Sequence, residues 1–166
     1  YPGLRTTHWD AATQSAVAKH ELEYKTITDT SIYMKFPHKT KANTFFLIWT
    51  TTPWTIPLNL ALMAHPELEY VEVQVNSEIW ILAQELLPLV MGNVGIDNYK
   101  IIKEFKGSLL EGQAYTHPLQ IQKYLPLEIQ KNPKVFTVLL SSEYVTATDG
   151  TGLVHCAPGC GPEDYE

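Results

Sequence analysis

Phe45-Phe46-Leu47-Ile48-Trp49-Thr50-Thr51-Thr52-Pro53-Trp54-Thr55-Ile56-Pro57 contains the change of pattern on which the reading of this chain turns. Residues 45–49 are an unbroken apolar run rich in aromatic and branched side chains, the pattern of a buried strand. Three hydroxyls and a proline follow. Proline has no N–H to offer a neighbouring strand and holds the residue before it, Thr52, in extended backbone, so regular pairing is expected to stop here. A buried strand ending in a rigid, hydroxyl-rich corner has the form of a pocket wall. Threonine is also an ordinary strand residue, so this stretch alone is as compatible with structure as with function.

Around that corner lie 166 residues, enough for one sizeable core. Charged residues are 18%, below the usual quarter, while 45% are hydrophobic, which excludes a disordered chain. The net charge of −6 excludes a broad basic footprint, so any contact with nucleic acid is local or supported from elsewhere. Two cysteines four positions apart make no disulfide framework and fit a reducing compartment. No apolar run approaches the ~20 residues that span a bilayer. The chain opens on Tyr1 and closes in an acidic run, and is expected to be a single unit, 1–166, cut from a longer protein, with its two ends close together.

Outward from the corner, alternation predicts a strand over 31–36, joined to 44–49 by a polar tip that carries His38, Lys39 and Lys41 and reads as a solvated hairpin end. Upstream, 1–9 reads as an extended entry, 11–22 as a helix capped by Asp10 or Thr13, and 24–27 as extended. Downstream, 56–59 reads as a helical turn and 60–64 as a strand. Residues 70–75 and 78–83 form a hairpin about Asn76-Ser77, and 84–91 a short helix stopped by Gly92. Strands follow at 99–105, 135–140, 144–147 and 152–156, with a loop-rich passage over 107–118, a tight turn at Asp149-Gly150 and turns over 157–162. Many short strands with few helices predict an α+β, β-rich fold on a curved or barrel-like mixed sheet with short flanking helices. Glycine-rich phosphate loops are absent.

A second chemical cluster lies near the C-terminal end, Gly150-Thr151-Gly152-Leu153-Val154-His155-Cys156-Ala157-Pro158-Gly159-Cys160, followed by Asp164. Flanking glycines allow backbone to approach a ligand closely. Three readings compete. Cys156 as a nucleophile with His155 as base is poorly aimed, because neighbours on a strand face opposite sides. A metal held by His155, Cys156 and Cys160 leaves zinc short of its usual four ligands. In the third, His155 and Asp164 shape and charge a pocket, against the plainer alternative of a core histidine and a surface carboxylate.

Both clusters together resemble one family, the editing (connective-peptide) domain of class I isoleucyl-tRNA synthetases. The resemblance rests on Trp49 through Pro57 with Asn59 and His65-Pro66, and on Gly150 through His155 with Ala157-Pro158 and Asp164. Similar blocks occur over 13–24 and 110–119, the latter with Gly112, Tyr115 and His117-Pro118, so it covers essentially the whole chain. Valyl and leucyl relatives carry an arginine where this chain has Thr52 and an acidic residue where it has Trp54. Cys160 departs from the polar residue found at its position in many relatives.

The resemblance implies hydrolysis of valyl-tRNA(Ile), and of valyl-adenylate as a related activity, without metal or other cofactor. It implies a site in which Thr50, Thr51, Thr52, His155 and Asp164 serve the reaction, and in which Trp54, Asn59 and Ala157 also meet substrate. Asp164 would hold the α-ammonium group, His155 would limit the side chain's size, Trp54 would be an aromatic wall, and Asn59 would pin the loop or touch substrate. The implied partners are the acceptor end of tRNA(Ile) and the rest of a cytoplasmic synthetase, with no membrane and a monomeric domain. A β-rich module that binds an amino-acid or nucleotide group without turning it over is the alternative.

Overall fold

The computed structural model describes residues 7–161. Its centre is a mixed five-stranded sheet in the order β3-β4-β7-β6-β8, formed by β3 (Ile32–Pro37), β4 (Thr44–Thr50), β6 (Glu69–Val75), β7 (Glu78–Ala83) and β8 (Lys100–Lys106). All pairs are antiparallel except β4 with β7. A three-stranded sheet places β5 (Ala61–Ala64) between β10 (Leu153–Cys156) and β9 (Val138–Leu140), and β10 also lies beside β4. The α+β, sheet-rich expectation holds with mixed strand directions. The sheets do not close into a barrel, since each retains two edge strands.

Core and topology follow from the apolar runs. Phe46 and Ile48 of β4, Val71 and Val73 of β6, and Ile81 and Leu82 of β7 are wholly buried. The hairpin of β6 and β7 turns on Asn76, whose φ of 54° is a left-handed value that asparagine tolerates. At the β3–β4 tip, the His38 Nδ1 accepts from the Thr40 and Lys41 amides at 3.2 Å each, and the ring stacks on Phe46. The tip is therefore built around a half-buried histidine rather than merely solvated.

Several expected elements differ. The helix expected over 11–22 is instead a small hairpin of β1 (His8–Asp10) and β2 (Ser15–Val17), followed by a 3-10 turn at Lys19–Glu21. Asp10 caps a turn, not a helix, accepting from Ala12 and Thr13 amides at 3.1 and 3.2 Å and from the Thr13 hydroxyl at 2.6 Å. No apolar stripe faces the core there, so nothing repays helix nucleation. Residues 24–27 adopt no regular element. Helix α1 (Leu87–Val94) follows a 3-10 turn at Gln84–Leu86 and runs through Gly92 to end at Gly95, where φ is +68°. Pro88 sits in its first turn, where the missing N–H costs nothing.

Residues 135–140 form a strand only from Val138, because Phe136 takes φ +57°. Residues 144–147 are not a strand, although Val145 is buried against Ala61, Met63 and Cys156. The remaining elements are 3-10 turns at Pro53–Leu58, Gly107–Leu110 and Ile121–Tyr124 and the one-turn helix α2 (Leu127–Gln130). Among the described residues no helix is long and apolar enough to cross a membrane. Asp164, expected beside His155, and the two chain ends, expected close to each other, are outside the described residues.

Candidate functional site

β4 leaves the core as a buried strand and ends at Thr50, whose side chain is still covered. Pro53 then starts the 3-10 turn Pro53–Leu58, which exposes Thr51 and Thr52 at the corner. The corner is locked internally. The Thr52 amide donates to Thr50 Oγ1 at 3.0 Å, and the two hydroxyls stand 3.2 Å apart. The Thr52 carbonyl accepts from the Thr55 amide at 3.0 Å and the Thr55 hydroxyl at 2.8 Å.

β10 forms the facing wall. Antiparallel pairing sets His155 opposite Leu62 and Val154 opposite Met63. The turn before it brings Gly150 and Gly152 to φ values of +74°. A Cβ on Gly152 would lie 2.3 Å from that of Ala83, so only glycine lets this turn press against β7. Tyr70 OH donates to the Gly152 carbonyl, and the Ala83 amide to that of Thr151 at 2.8 Å, fastening the turn to the central sheet.

Between these walls is an open cleft of about 410 Å³. Thr50, Thr51, Thr52 and His155 all line it, as do Asp149 and the Gly150–Leu153 backbone. Trp49, Met63, Tyr144, Thr146 and Val154 complete the lining. The His155 Nε2 lies 3.0 Å from Thr55 Oγ1. That hydroxyl has one proton, already donated to the Thr52 carbonyl, so it accepts from Nε2–H. The bond joins the two walls across a hundred residues of sequence and fixes the tautomer of the ring. Nδ1 is buried. The imidazole thus lines the cleft with Nε2 engaged by Thr55.

Other expected site residues stand elsewhere. Trp54 does not line the cleft and is 67% exposed. At three residues per turn, burying Ile56 in the core sends Trp54 outward. Asn59 is fully buried, donating to the Ala61 carbonyl at 2.8 Å and the Cys156 carbonyl at 3.4 Å while accepting from Tyr115 OH. Of the two roles expected for it, this is the geometry of a pin. Ala157 is buried and is not among the residues lining the cleft. Cys156 packs with Ala61 and Met63 on the face of β10 opposite His155, while Cys160 is exposed. Among the described residues, no group of three His, Cys, Asp or Glu side chains is placed to hold a metal ion.

Comparison with known proteins bears on the same arrangement. No family model matches the chain. The isoleucine–tRNA ligase of Petrotoga mobilis is 43% identical over 165 residues, 99% of this chain. That of Pyrococcus horikoshii is 45% identical over 168 residues, 98% of this chain. In each case the chain spans 16% of the relative's length. Among solved structures, the P. knowlesi cytosolic leucyl-tRNA synthetase editing domain superposes with a TM-score of 0.62 at 15% identity, covering 81% of this chain and 59% of that one. The P. falciparum counterpart gives 0.55 at 20% identity, covering 74% of this chain and 44% of that one. The chain belongs to the isoleucine–tRNA ligase family, and its fold is that of the leucyl-tRNA synthetase editing domains.

The sequence reading did not anticipate Thr55 as the partner of His155, nor Asp149, Tyr144 and Thr146 on the cleft. Thr55 was legible in principle as the hydroxyl three positions after Thr52, a 3-10 spacing. Tyr144 and Thr146 carry no local signal of the cleft and Asp149 signals only its turn, since an irregular segment places them. Chemically the cleft offers hydroxyls, turn backbone, a flat ring and, among its described residues, the Asp149 carboxylate. That set suits an ester with a nearby amine and hydroxyls.

Proposed function

We propose that this chain hydrolyses valyl-tRNA(Ile), the ester joining a wrongly attached valine to the terminal adenosine, as the editing unit of an isoleucyl-tRNA synthetase in the cytoplasm. The observation that carries the reading is the meeting of the Thr50–Thr52 corner and His155 in one cleft, joined by the Thr55–His155 hydrogen bond. A synthetic site that accepts isoleucine rejects valine weakly, because one methylene is worth only about 1–3 kcal/mol; this pair is the standard instance of that limit. A second site that admits valine and excludes isoleucine removes the error.

In the proposed reaction, water adds to the ester carbonyl and the acyl–oxygen bond breaks. Valine leaves as its carboxylate, the ribose oxygen takes up a proton, and a proton is released to solvent. The ester is already activated, so the protein's work is orientation. The corner hydroxyls and amides hold the carbonyl and the attacking water, the His155 ring bounds the side chain, and Asp164 receives the ammonium group. Valyl-adenylate, which shares the acyl group, is the second substrate.

The test is deacylation by a synthetase carrying this chain, with valyl-tRNA(Ile) as substrate and isoleucyl-tRNA(Ile) as control. Rapid loss of the valyl ester with survival of the isoleucyl ester is expected. Stability of both esters would leave only a binding module.

A further inference from the structure

At the far edge of the three-stranded sheet lies a second cavity, of about 530 Å³. β10, with His155, is one edge of that sheet, and β9 is the other. With strands spaced about 4.8 Å apart, the two edges are separated by roughly 10 Å. The segment leading into β9, Val135 to Thr137, forms one wall of the cavity. Lys39 from the β3–β4 tip and Lys131 just beyond α2 also line it, with the side-chain amides of Gln122, Gln130 and Asn132.

The charge here runs against that of the whole chain. Net charge is −6, yet no Asp or Glu is among the described lining residues. Lys39 and Lys131 take no part in the ion pairs of the described residues, which use Lys25, Lys35, Lys41 and Lys106. Asn132 Oδ1 accepts from the Lys134 amide at 3.0 Å, so its NH₂ remains to donate. Gln130 Nε2 already donates to the Leu125 carbonyl at 2.7 Å, so the cavity is furnished chiefly with the two lysine cations and the Asn132 amide, a set for an anion bearing further acceptors. A water occupies about 30 Å³ in the liquid, so the space admits far more than one small ion. Beside Gln122, Tyr124 is 75% exposed, with Lys123 Nζ 4.9 Å from its ring centroid. Positive grooves combined with exposed aromatic side chains are how proteins hold single-stranded nucleic acid.

We infer that this cavity binds the phosphodiester backbone of the single-stranded acceptor end of tRNA, on the strand leading to the ester in the first cleft. The inference rests on the function proposed above. It adds a positioning site that touches no reacting atom. Tyr115 lines the cavity and donates to Asn59, the residue after the Pro53–Leu58 turn, so RNA seated here lies against the pin of the cleft corner.

The experiment uses the chain with a short single-stranded RNA oligonucleotide, read by fluorescence anisotropy over a salt series. Each lost phosphate contact removes about 0.7 from the slope of log K against log salt, so Lys39→Gln with Lys131→Gln is expected to flatten it by about 1.4. Lys39→Glu with Lys131→Glu weakens binding further. Hydrolysis of valyl-adenosine, which carries no phosphate, is expected to be unchanged in both double variants. Unaltered RNA affinity and slope would overturn the inference, as would a parallel fall in valyl-adenosine hydrolysis. An acidic peptide of equal charge that competes as well as RNA would also overturn it, by showing a surface that reads charge alone. If the unaltered chain binds RNA with the expected slope but leaves valyl-adenosine intact, the hydrolytic reading fails and the RNA site stands.

Discussion

His155 and Thr55 show how much one hydroxyl can decide. Because Thr55 donates to the Thr52 carbonyl and accepts from His155, it holds both walls of the cleft in one geometry. Thr55→Val keeps the shape and removes both bonds. The ring then loses its tie to the corner, and discrimination between valyl and isoleucyl esters is expected to fall while valyl ester hydrolysis persists. His155→Ala removes the wall itself, so the isoleucyl ester should be cleaved roughly ten-fold faster or more, the range that one methylene's worth of space commands. Deacylation rates on both esters measure this. A uniform loss on both would assign the pair to catalysis rather than to size selection.

At the scale of elements, the cleft depends on a tight turn against a strand. Gly150 and Gly152 have the same φ but different surroundings. A Cβ on Gly150 would meet the Trp49 ring at an ordinary 3.5 Å, whereas one on Gly152 would collide with Ala83. Gly150→Ala is therefore expected to cost about 1–2 kcal/mol of backbone strain. Gly152→Ala adds overpacking of about 1–3 kcal/mol and displaces β10. Urea unfolding separates the two, and equal losses would show that the turn does not press on β7. The elements also mark the limits of local reading. The β3–β4 and β6–β7 hairpins were legible because alternation and turn residues agree with the tertiary sheet. The segment over 11–22 was not, because its helical spacing finds no core to face and Asp10 turns the chain first.

Across the whole molecule, buried titratable groups set where the fold is stable. Burial pushes the Tyr70 phenol up to about 12, and that of Tyr115 upward as well. Both are held protonated by the fold, so their contribution is complete below the ordinary value of 10. It is lost as pH rises above 10, where the unfolded chain gives up protons first. The expected fall is about 1.4 kcal/mol per pH unit for each tyrosine. Desolvation lowers the pKa of His117, whose Nδ1 accepts from the Leu119 amide at 3.1 Å while Nε2–H faces the Ile56 carbonyl at 2.9 Å. A second proton would break the Leu119 bond. Burial lowers His38 similarly. Unfolded histidine takes up protons below about 6.5, so stability falls as pH drops through that value. Denaturation midpoints across pH should form a plateau that falls on both sides. Tyr70→Phe is expected to flatten the alkaline limb and His117→Gln the acid one, and unchanged limbs would move those protons elsewhere.

The sequence alone determined the sheet-rich α+β class, the two best hairpins and the two motif-bearing walls, because these rest on alternation, turn residues and local chemistry that need no distant partner. It also named Thr50, Thr51, Thr52 and His155, which tertiary pairing brings into one cleft. Only the tertiary structure decided that Trp54 faces solvent, since the burial of Ile56 sets the rotation of the turn. It likewise decided that Asn59 is a pin, because Tyr115 and the Cys156 carbonyl come to it from 56 and 97 residues away. The Thr55–His155 bond and the Asp149 rim belong to the same class. Contacts between segments so far apart leave no period in the chain, and only the packing of β10 against β5 and β4 creates them.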